Sequence, residues 1–235
     1  MRVILERSNL LKSLNHVHRV VERRNTIPIL SNVLLAAEGA SLEMKATDLD
    51  LEVTEATPAQ VEQGGATTVP AHLLYDIVRK LPEGAEVMLR SDEDGTAMTV
   101  ASGRSSFRLQ CLPQSDFPEL SAGSFSHVFR LDSTALKGLI DKTQFAISTE
   151  ETRYYLNGIF LHTLEAGGKL KLRSVATDGH RLARAEIDAP AGSEGMPGII
   201  IPRKTVSELQ KLVDDPDVAV TTELSDTKIR FTIGS

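Results

Sequence analysis

The tripeptide Ala46-Thr47-Asp48 recurs as Ala176-Thr177-Asp178, and three further pairs of segments repeat around it in the same order. The further pairs are Ser8–Leu14 with Ser133–Leu139, Leu30–Leu35 with Leu156–Leu161, and Val69–Pro70 with Ile201–Pro202. The spacing between partners grows only from 125 to 132 residues, as short insertions in hairpins would produce. Four matches in order indicate a duplication, so we predict one domain that occurs twice.

Within each copy the hydrophobic pattern alternates between two periods. Apolar residues spaced by three or four predict helices at residues 8–24, 71–81, 133–145 and 203–213. Period-two runs predict strands between the helices, and they include Leu42, Met44 and Ala46; Leu49, Leu51 and Val53; Leu170 and Leu172; and Ile229, Phe231 and Ile233. Each copy is therefore expected to hold two β-α-β-β-β units, an α+β fold with antiparallel sheets on one side and two helices on the other.

The boundary between the copies is predicted in Pro113–Ser126, which is rich in Pro, Ser and Gly and has no periodicity. This boundary gives a first domain at residues 1–122 and a second at residues 127–235. The second copy has no counterpart of the alternating strand Phe107–Cys111. Because a missing strand leaves a sheet edge unpaired, we expect these residues to be part of a longer natural protein.

Composition excludes several classes of protein. The chain is 41% hydrophobic and 25% charged, which is typical of a globular protein. No apolar run approaches the roughly 20 residues of a membrane helix, and the amino terminus does not resemble a signal peptide. The single cysteine, Cys111, excludes an internal disulfide and a multi-cysteine zinc site, and its alternating strand predicts a small core residue. A cytoplasmic protein is the simplest interpretation.

Positive charge is concentrated in the predicted helices. The four helices carry a net charge of +7, which leaves −13 for the rest of a chain whose net charge is −6. The first helix places Lys12, His16, Arg19 and Arg23 on one stripe, and the cations of the other helices include Arg79, Lys80, Lys137, Lys204 and Lys211. A solvated surface is the alternative for any one helix. Four cationic helices in an acidic chain favour contact with phosphates, which reads no base sequence.

The sequence contains no glycine-rich phosphate loop, zinc-protease motif or nucleophile elbow. Asp48 and Asp50 could hold a divalent metal, although aspartates close to turns more often accept hydrogen bonds from the backbone. We expect neither a metal ion nor a cofactor.

The segment Asp178–Arg181 is the richest polar cluster, and three interpretations of it stay open. Asp178 and His180, together with Asp48 and a metal, could serve a hydrolase or transferase. His180 could equally be a hydrogen-bonded structural residue. The segment could also form a surface for an apolar peptide, because a glycine, an imidazole and an arginine stem lie beside Leu182.

Several motifs of the chain are similar to those of one family. In the first copy they are Thr26–Leu30, Ala46–Leu49, Ala66–Ala71, Leu81–Ala85, Ser102–Ser105 and Asp116–Pro118; in the second copy they are Arg153–Gly158, Ala176–Ala183 and Ile201–Lys204. These segments resemble the first two of three domains of the beta subunit of bacterial DNA polymerase III, the sliding-clamp family. The resemblance extends over the whole chain.

The resemblance implies a ring of two subunits, each with three similar domains, that encircles duplex DNA with its helices inward and its sheets outward. Such a ring is a non-catalytic processivity factor that tethers the polymerase during replication. Its implied partners are double-stranded DNA, the polymerase III alpha subunit, the clamp loader, and other polymerases and repair proteins that carry a clamp-binding motif. Without the third domain, we expect this chain not to close a stable ring.

The resemblance also implies roles for particular residues. Arg24, Tyr154 and Tyr155 match positions that contact DNA, whereas a neighbouring polar position falls near the acidic pair Glu150-Glu151, which disfavours contact there. The implied pocket for short linear motifs contains Leu156, Thr177, Gly179, His180, Arg181 and Leu182, and we expect it to be incomplete without residues beyond 235. The strand Arg104–Leu112, with Phe107 and Leu109, resembles the edge that pairs with a partner subunit.

Overall fold

The structure, a computed structural model, describes residues 1–120, 123–150 and 152–234. Its contacts divide the chain into unit 1, Met1–Ser121, and unit 2, Ala122–Ser235. This division falls within the predicted boundary segment Pro113–Ser126. The predicted limits at residues 122 and 235 lie outside the described residues, as does Glu151.

Unit 1 contains two antiparallel sheets and two helices. Its elements are β1 (Arg2–Glu6), α1 (Arg7–Val17), β2 (Asn32–Glu38), β3 (Ser41–Thr47), β4 (Glu52–Pro58), β5 (Gln60–Gln63), β6 (Gly65–Pro70), α2 (Ala71–Lys80), β7 (Glu86–Ser91), β8 (Ala97–Ser102) and β9 (Ser105–Gln110). One sheet has the strand order β5-β1-β7-β8-β9, and the other has the order β4-β3-β2-β6.

Unit 2 repeats this arrangement. Its elements are β10 (His127–Asp132), α3 (Ser133–Asp141), β11 (Gly158–Ala166), β12 (Lys169–Thr177), β13 (Leu182–Asp188), β14 (Ile199–Pro202), α4 (Arg203–Leu212), β15 (Ala219–Leu224) and β16 (Ile229–Ile233). The sheet orders are β10-β15-β16 and β13-β12-β11-β14, which correspond to β1-β7-β8 and β4-β3-β2-β6 of unit 1. The α+β fold and the duplication are therefore confirmed.

Each unit has its own hydrophobic core between the sheets and the helices. In unit 1, Leu10 and Leu14 of α1 and Leu74 of α2 are fully buried against strand residues such as Leu42. In unit 2, Leu136 and Leu139 of α3 and Leu209 of α4 occupy the corresponding places. Complete burial of one such side chain contributes roughly 2 kcal/mol, so these helices are held chiefly by packing.

The helices α2 and α4 begin as the sequence predicts. Pro70 and Pro202 directly precede their first residues, with φ of −57° and −59°. Proline has its φ fixed close to the helical value and lacks an N–H group that would otherwise need a partner, so it is well tolerated at a helix entry. No helix in the described ranges is both long and apolar enough to cross a membrane.

The first predicted helix was too long. α1 ends at Val17 rather than at residue 24, and Nδ1 of His18 lies 2.7 Å from the carbonyl oxygen of Leu14 at this end. Val20 and Val21 are buried in the turn that follows, so apolar spacing continues after the helix has stopped. The predicted four-residue stripe is therefore wrong: Arg19 and Arg23 lie beyond the helix.

The third predicted helix was also too long. α3 ends at Asp141, and the chain continues into a separate 3-10 turn at Gln144–Ala146. The hydroxyl of Thr143 donates a hydrogen bond of 2.7 Å to the carbonyl oxygen of Leu139. This bond satisfies a carbonyl oxygen at the end of the helix. The 3-10 turn that follows places Phe145 at the surface.

Candidate functional site

A tight turn connects β12 to β13 in unit 2, and it contains most of the predicted pocket residues. One carboxylate oxygen of Asp178, Oδ1, accepts the backbone N–H groups of His180 and Arg181, both at 3.0 Å. The hydroxyl of Thr177 donates to the carbonyl oxygen of Arg181 at 2.7 Å and accepts the N–H of Gly179 at 3.1 Å. Gly179 has a φ of +90°, a conformation that favours glycine.

The hydrogen bonds of this turn also determine the charge of Asp178. The backbone N–H of Arg181, the N–H of His180 and the Arg181 side chain together lower the pKa of the Asp178 carboxyl to about 2. Oδ2 of the same carboxylate accepts Nε of Arg181 at 2.9 Å. Asp178 is therefore a permanently ionised acceptor that shapes the turn, and a catalytic acid or base would need a pKa closer to neutral.

Unit 1 contains the same turn between β3 and β4. Oδ1 of Asp48 accepts the N–H groups of Asp50 at 3.0 Å and of Leu51 at 2.7 Å. The hydroxyl of Thr47 accepts the N–H of Leu49 at 3.0 Å, as Thr177 does for Gly179. These bonds agree with the interpretation of Asp48 as a backbone acceptor.

Leu49 was predicted to lie in a strand, and this prediction is wrong. β4 begins only at Glu52, and Leu49 has a φ of +82° with 46% of its surface exposed. Alternation of Leu49, Leu51 and Val53 in the sequence does not distinguish a strand from a turn that happens to contain two leucines. Leu49 is the one residue other than glycine with positive φ in the described part of the chain.

Two residues that were not predicted as part of the pocket lie against the turn of unit 2. The guanidinium of Arg181 lies 5.6 Å from the ring centre of Phe145, a cation–π contact. The side chain of Arg153 lies beside Gly179, because a Cβ added to Gly179 would be 3.3 Å from Nη1 of Arg153. The carbonyl oxygen of Arg153 accepts the N–H of Leu156 at 2.8 Å. Phe145 falls outside every motif, whereas Arg153 begins the motif Arg153–Gly158 without having been predicted as a pocket residue.

Five of the six predicted pocket residues lie in the segment Thr177–Leu182, and the sixth, Leu156, follows Arg153, whose side chain lies against Gly179. Leu182, at the start of β13, is 65% exposed, and His180 and Arg181 are also exposed. Leu156 is half-buried in the 3-10 turn Tyr154–Leu156. An apolar side chain beside a fixed guanidinium and an imidazole suits the binding of a short peptide.

The two tyrosines that precede Leu156 are exposed. Tyr154 and Tyr155 contact each other edge to face, with their ring centres 5.5 Å apart. Beside them Nε of Arg153 forms an ion pair of 2.9 Å with Glu150, so this acidic side chain is already neutralised by its own segment.

The predicted phosphate-binding cations differ between the units in their ion pairing. In unit 2, Lys137 lies 3.4 Å from Asp214, and Lys211 lies 2.7 Å from Glu208. In unit 1, Arg79 pairs with Asp76 at 3.1 Å and Arg19 bonds to Asn15 at 3.1 Å. The described ranges supply no ion-pair partner for four exposed cations of unit 1, which are Lys12, Arg23, Arg24 and Lys80. Lys204 is half-buried and interacts with another group, so it does not belong to this unpaired set.

His16 does not belong to this cationic surface. Its Nδ1 atom lies 3.2 Å from Glu55 of β4, and its side chain is about three-quarters buried, being 24% exposed. The residue therefore faces the sheet of unit 1 rather than solvent.

The predicted dimer edge is one strand of unit 1. β9 begins at Ser105, so Arg104 lies in the preceding turn rather than in the strand. β9 is the last strand in its sheet order, and it pairs with β8 only. Phe107 is partly exposed, whereas Leu109 is buried in the core and contributes its backbone alone to this edge.

The alternative of a metal-dependent hydrolase is not supported. Asp48 belongs to unit 1 and His180 to unit 2, and both aspartates of this proposed site bind backbone N–H groups. Within residues 1–120, 123–150 and 152–234, no group of three His, Cys, Asp or Glu side chains could hold a metal ion. Cys111 is buried, as predicted, and burial raises the pKa of its thiol.

Comparison with known proteins gives the family. Residues 1–121 match the N-terminal domain of the DNA polymerase III beta subunit, and residues 130–235 match its central domain. The beta sliding clamp of Caulobacter vibrioides (strain NA1000 / CB15N) is 53% identical over the whole chain, which covers 63% of that relative. The clamp of Escherichia coli (strain K12) is 40% identical over 237 aligned positions, and the chain covers 62% of its length.

Solved structures agree with these sequence matches. The DnaN sliding clamp of Bartonella birtlesii bound to griselimycin has a TM-score of 0.96 at 60% identity, and the match covers all of this chain and 63% of that one. The Caulobacter crescentus pol III beta structure has a TM-score of 0.95 at 53% identity over the same shares. The chain thus spans about 63% of the length of these relatives. It belongs to the family of the DNA polymerase III beta subunit, the beta sliding clamps.

Proposed function

We propose that this chain supplies two domains of a sliding clamp, a processivity factor that encircles duplex DNA without reading its sequence and tethers the replicative polymerase. The observation that carries the proposal is the match of both units, in order, to the N-terminal and central domains of one family. The clamp performs no chemistry of its own, and it acts in the cytoplasm on replicating DNA.

The charge distribution supports contact with DNA. Four exposed cations of unit 1 have no ion-pair partner in the described ranges, and Arg24 is among them. A cation that is not already paired gains most from a phosphate, because no existing ion pair has to be broken. The exposed Tyr154 and Tyr155 form a second contact point for the DNA backbone.

The edge of β9 supports a closed ring. Its free side offers backbone N–H and C=O groups to another strand, and pairing of this kind is a common mode of association. The partner strand belongs to the third domain of a second subunit, and Phe107 packs beside it. Two such contacts make a homodimeric ring.

The experiment that tests this function compares retention on circular and linear DNA. It uses this chain and a fusion in which the remaining carboxy-terminal part of the Caulobacter relative follows residue 235, both incubated with clamp loader, ATP and nicked plasmid. The fusion should stay on circular DNA in high salt and leave when the plasmid is cut, whereas this chain should not be retained. Equal retention of the fusion on circular and linear DNA would refute the clamp function.

The turn around Asp178 is the docking site for the partners. Polymerases, the clamp loader and repair proteins place the apolar side chains of a short linear motif against Leu156 and Leu182, beside His180 and Arg181. Arg181 is held by Asp178 and Phe145, so little side-chain entropy is lost when it bonds to a peptide.

Binding of a clamp-binding motif peptide to the fusion is measurable by fluorescence anisotropy. Leu182→Ala should weaken binding by about 1–2 kcal/mol, or roughly five- to thirty-fold in Kd, since an apolar anchor is lost. Leu49→Ala is the matched control, because Leu49 is an exposed leucine beside the equivalent turn of unit 1. Equal effects of the two substitutions would remove unit 2 as the docking site.

A further inference from the structure

The outer surface of one sheet in unit 1 is covered by the segment that follows β9. This closing segment, Leu112–Phe117, packs Phe117 against Ile29 and Leu30, with Leu34 and Leu112 beside them. Leu112 also forms a β-bridge with Thr68 of β6. The cluster is separate from the main core of the unit, so it exists only because the closing segment lies there.

Hydrogen bonds fix the closing segment to the edge of β6. The hydroxyl of Thr68 donates to the carbonyl oxygen of Leu112 at 2.8 Å and accepts its N–H at 3.3 Å. The side-chain amide of Asn32 donates to the same hydroxyl at 2.9 Å. Asn32, Thr68 and Leu112 therefore form one buried network.

The duplication identifies the equivalent surface of unit 2. Leu34 corresponds to Phe160, and Thr68 corresponds to Ile200. Each pair also lies directly opposite across two neighbouring strands, Leu34 with Thr68 on β2 and β6, and Phe160 with Ile200 on β11 and β14. The two surfaces are thus equivalent in register as well as in sequence.

The equivalent positions differ in exposure. Thr68 is fully buried under the closing segment, whereas Phe160 is 40% exposed and Ile200 is 43% exposed. The Phe160 ring is held in place by His162, whose ring stacks on it at 4.8 Å, and by Gly198, which lies against it. The surface of unit 2 is therefore apolar, and the described part of the chain leaves about two-fifths of both residues exposed.

We propose that Phe160 and Ile200 are the docking surface for the polypeptide that follows the central domain in full-length clamps. The family assignment supports this occupant, because residues 130–235 match a domain called central and the chain spans only 63% of its relatives. In unit 1 the equivalent surface is covered by the closing segment that follows β9. Because β16 corresponds to β8, the counterpart in unit 2 is the segment that follows the strand equivalent to β9 in full-length clamps.

The chemistry of the surface indicates the kind of segment that binds. Ile200 has no hydroxyl and Gly158 stands where unit 1 has Asn32, so the polar network of unit 1 has no counterpart. The segment is therefore held by apolar side chains that pack on Phe160 and Ile200, rather than by a side-chain hydroxyl.

The test measures how fast a cysteine at the surface reacts with a maleimide. Ile200→Cys is introduced into this chain and into the fusion that carries the carboxy-terminal part of the Caulobacter relative, with any cysteine of the added part replaced by serine. Cys111 is buried, and the unsubstituted protein supplies its background rate. Glu165→Cys, at an exposed position further along β11, is the matched control.

The labelling rate at Ile200→Cys should be at least about ten-fold lower in the fusion than in this chain, the change that ~1.4 kcal/mol of protection produces. The control should react equally in both proteins. Equal rates at Ile200→Cys in a fusion that shows the circular dichroism of a folded protein would overturn the proposal. Protection that increases with the concentration of this chain alone would also overturn it, because the occupant would then be a second copy.

A peptide provides a second measurement if the fusion does not fold. It contains the segment of the Caulobacter relative that the duplication aligns with Leu112–Phe117 of unit 1, and it is added to the Ile200→Cys chain. A saturable decrease in labelling at Ile200→Cys, with none at Glu165→Cys, supports the proposal. No decrease at any soluble peptide concentration contradicts it.

Discussion

Leu49 and Gly179 occupy the same place in two turns with the same hydrogen bonds, yet only the glycine adopts the backbone conformation of this place without strain. Both residues have positive φ, +82° and +90°. A side chain with a Cβ is strained in this conformation by roughly 1–2 kcal/mol, whereas glycine adopts it freely. Leu49 is largely at the surface, so its side chain gains little from burial that would offset the strain.

Leu49→Gly should therefore stabilise unit 1. We expect a gain of about 0.5–1 kcal/mol in the free energy of unfolding, because relief of strain exceeds the extra entropy that glycine loses on folding. Urea unfolding followed by circular dichroism measures this change.

The reverse substitution serves as the control. Gly179→Ala should destabilise unit 2 by about 1 kcal/mol, because it adds a Cβ at positive φ. That Cβ would also lie 3.3 Å from Nη1 of Arg153. If both substitutions changed stability in the same direction, backbone strain would not be the cause.

Asp178 gives the turn of unit 2 a dependence on pH. Its pKa in the folded protein is about 2, below the value of about 3.9 in an unfolded chain. A lowered pKa means that the carboxylate stabilises the fold above about pH 4, and that this contribution is lost as the pH falls towards 2.

Asp178→Asn should remove this dependence. An amide oxygen still accepts backbone N–H groups, but the charge that attracts Arg181 is lost. The urea midpoint of the variant should lie below that of the original protein at about pH 5, and the difference should narrow towards about pH 2.5. A difference that stayed constant over this range would show that the charge of Asp178 does not matter.

The helix α2 shows how one side chain stabilises a whole element. Arg7, the first residue of α1, donates through Nε to the carbonyl oxygen of Val78 at 3.1 Å and through Nη2 to that of Arg79 at 2.7 Å. Both carbonyl groups lie in the last turn of α2, where the helix dipole is negative, and that of Val78 also accepts the N–H of Leu81 at 3.2 Å. Arg7 therefore joins the end of one helix to the start of the other.

Arg7→Ala should lower the free energy of unfolding by about 1–2 kcal/mol, since two charge-assisted hydrogen bonds are lost. Thermal unfolding by calorimetry would show the decrease as a lower Tm. Arg90→Ala provides the control, because Arg90 is an exposed arginine of β7 without such bonds in the described ranges.

The sequence predicted some elements better than others for a physical reason. The helices α2 and α4 follow a proline and contain uninterrupted apolar spacing, so both signals agree. The end of α1 was missed because Val20 and Val21 continue the spacing into a buried turn. Periodicity reports which side chains are buried, and it does not report where the backbone stops being helical.

The candidate site could be predicted only in part. Thr177–Leu182 is one continuous segment, so its motif was visible in the sequence. Phe145 comes from a distant turn, and its contact with Arg181 depends on how α3 ends. The ion pair of Lys137 with Asp214 likewise depends on tertiary structure, whereas Lys211 pairs with Glu208 one turn earlier on the same helix.

For the molecule as a whole, the predicted DNA-contacting cations that lack an ion-pair partner in the described part of the chain lie in unit 1, so we expect these residues to contribute more to DNA binding than the predicted cations of unit 2. Arg23 and Arg24 are exposed and without ion-pair partners in the described ranges, whereas Lys137 and Lys211 pair with acidic neighbours. We compare the double variant Arg23→Glu and Arg24→Glu with the double variant Lys137→Glu and Lys211→Glu, which has the same change in charge.

Fluorescence anisotropy with two duplexes of unrelated sequence measures the effect. The unit 1 variant should reduce the slope of log affinity against log salt by about 2, or about one for each lost phosphate contact. The unit 2 variant should reduce it less, and both duplexes should behave alike. Equal reductions by both variants would show that net charge, rather than unpaired charge, governs binding.

The network of Asn32, Thr68 and Leu112 has a consequence for evolution. Restoring it in unit 2 would require an asparagine at Gly158 and a threonine at Ile200. A Cβ at Gly158 alone would collide with the backbone carbonyl oxygen of Ile201, and a threonine at Ile200 alone would have no amide partner. The clash at Gly158 is with backbone, so it would remain in the double substitution, and each single step is disfavoured as well. Recombination that copied this stretch from one half of the gene into the other would be selected against, so the two repeats have diverged irreversibly here.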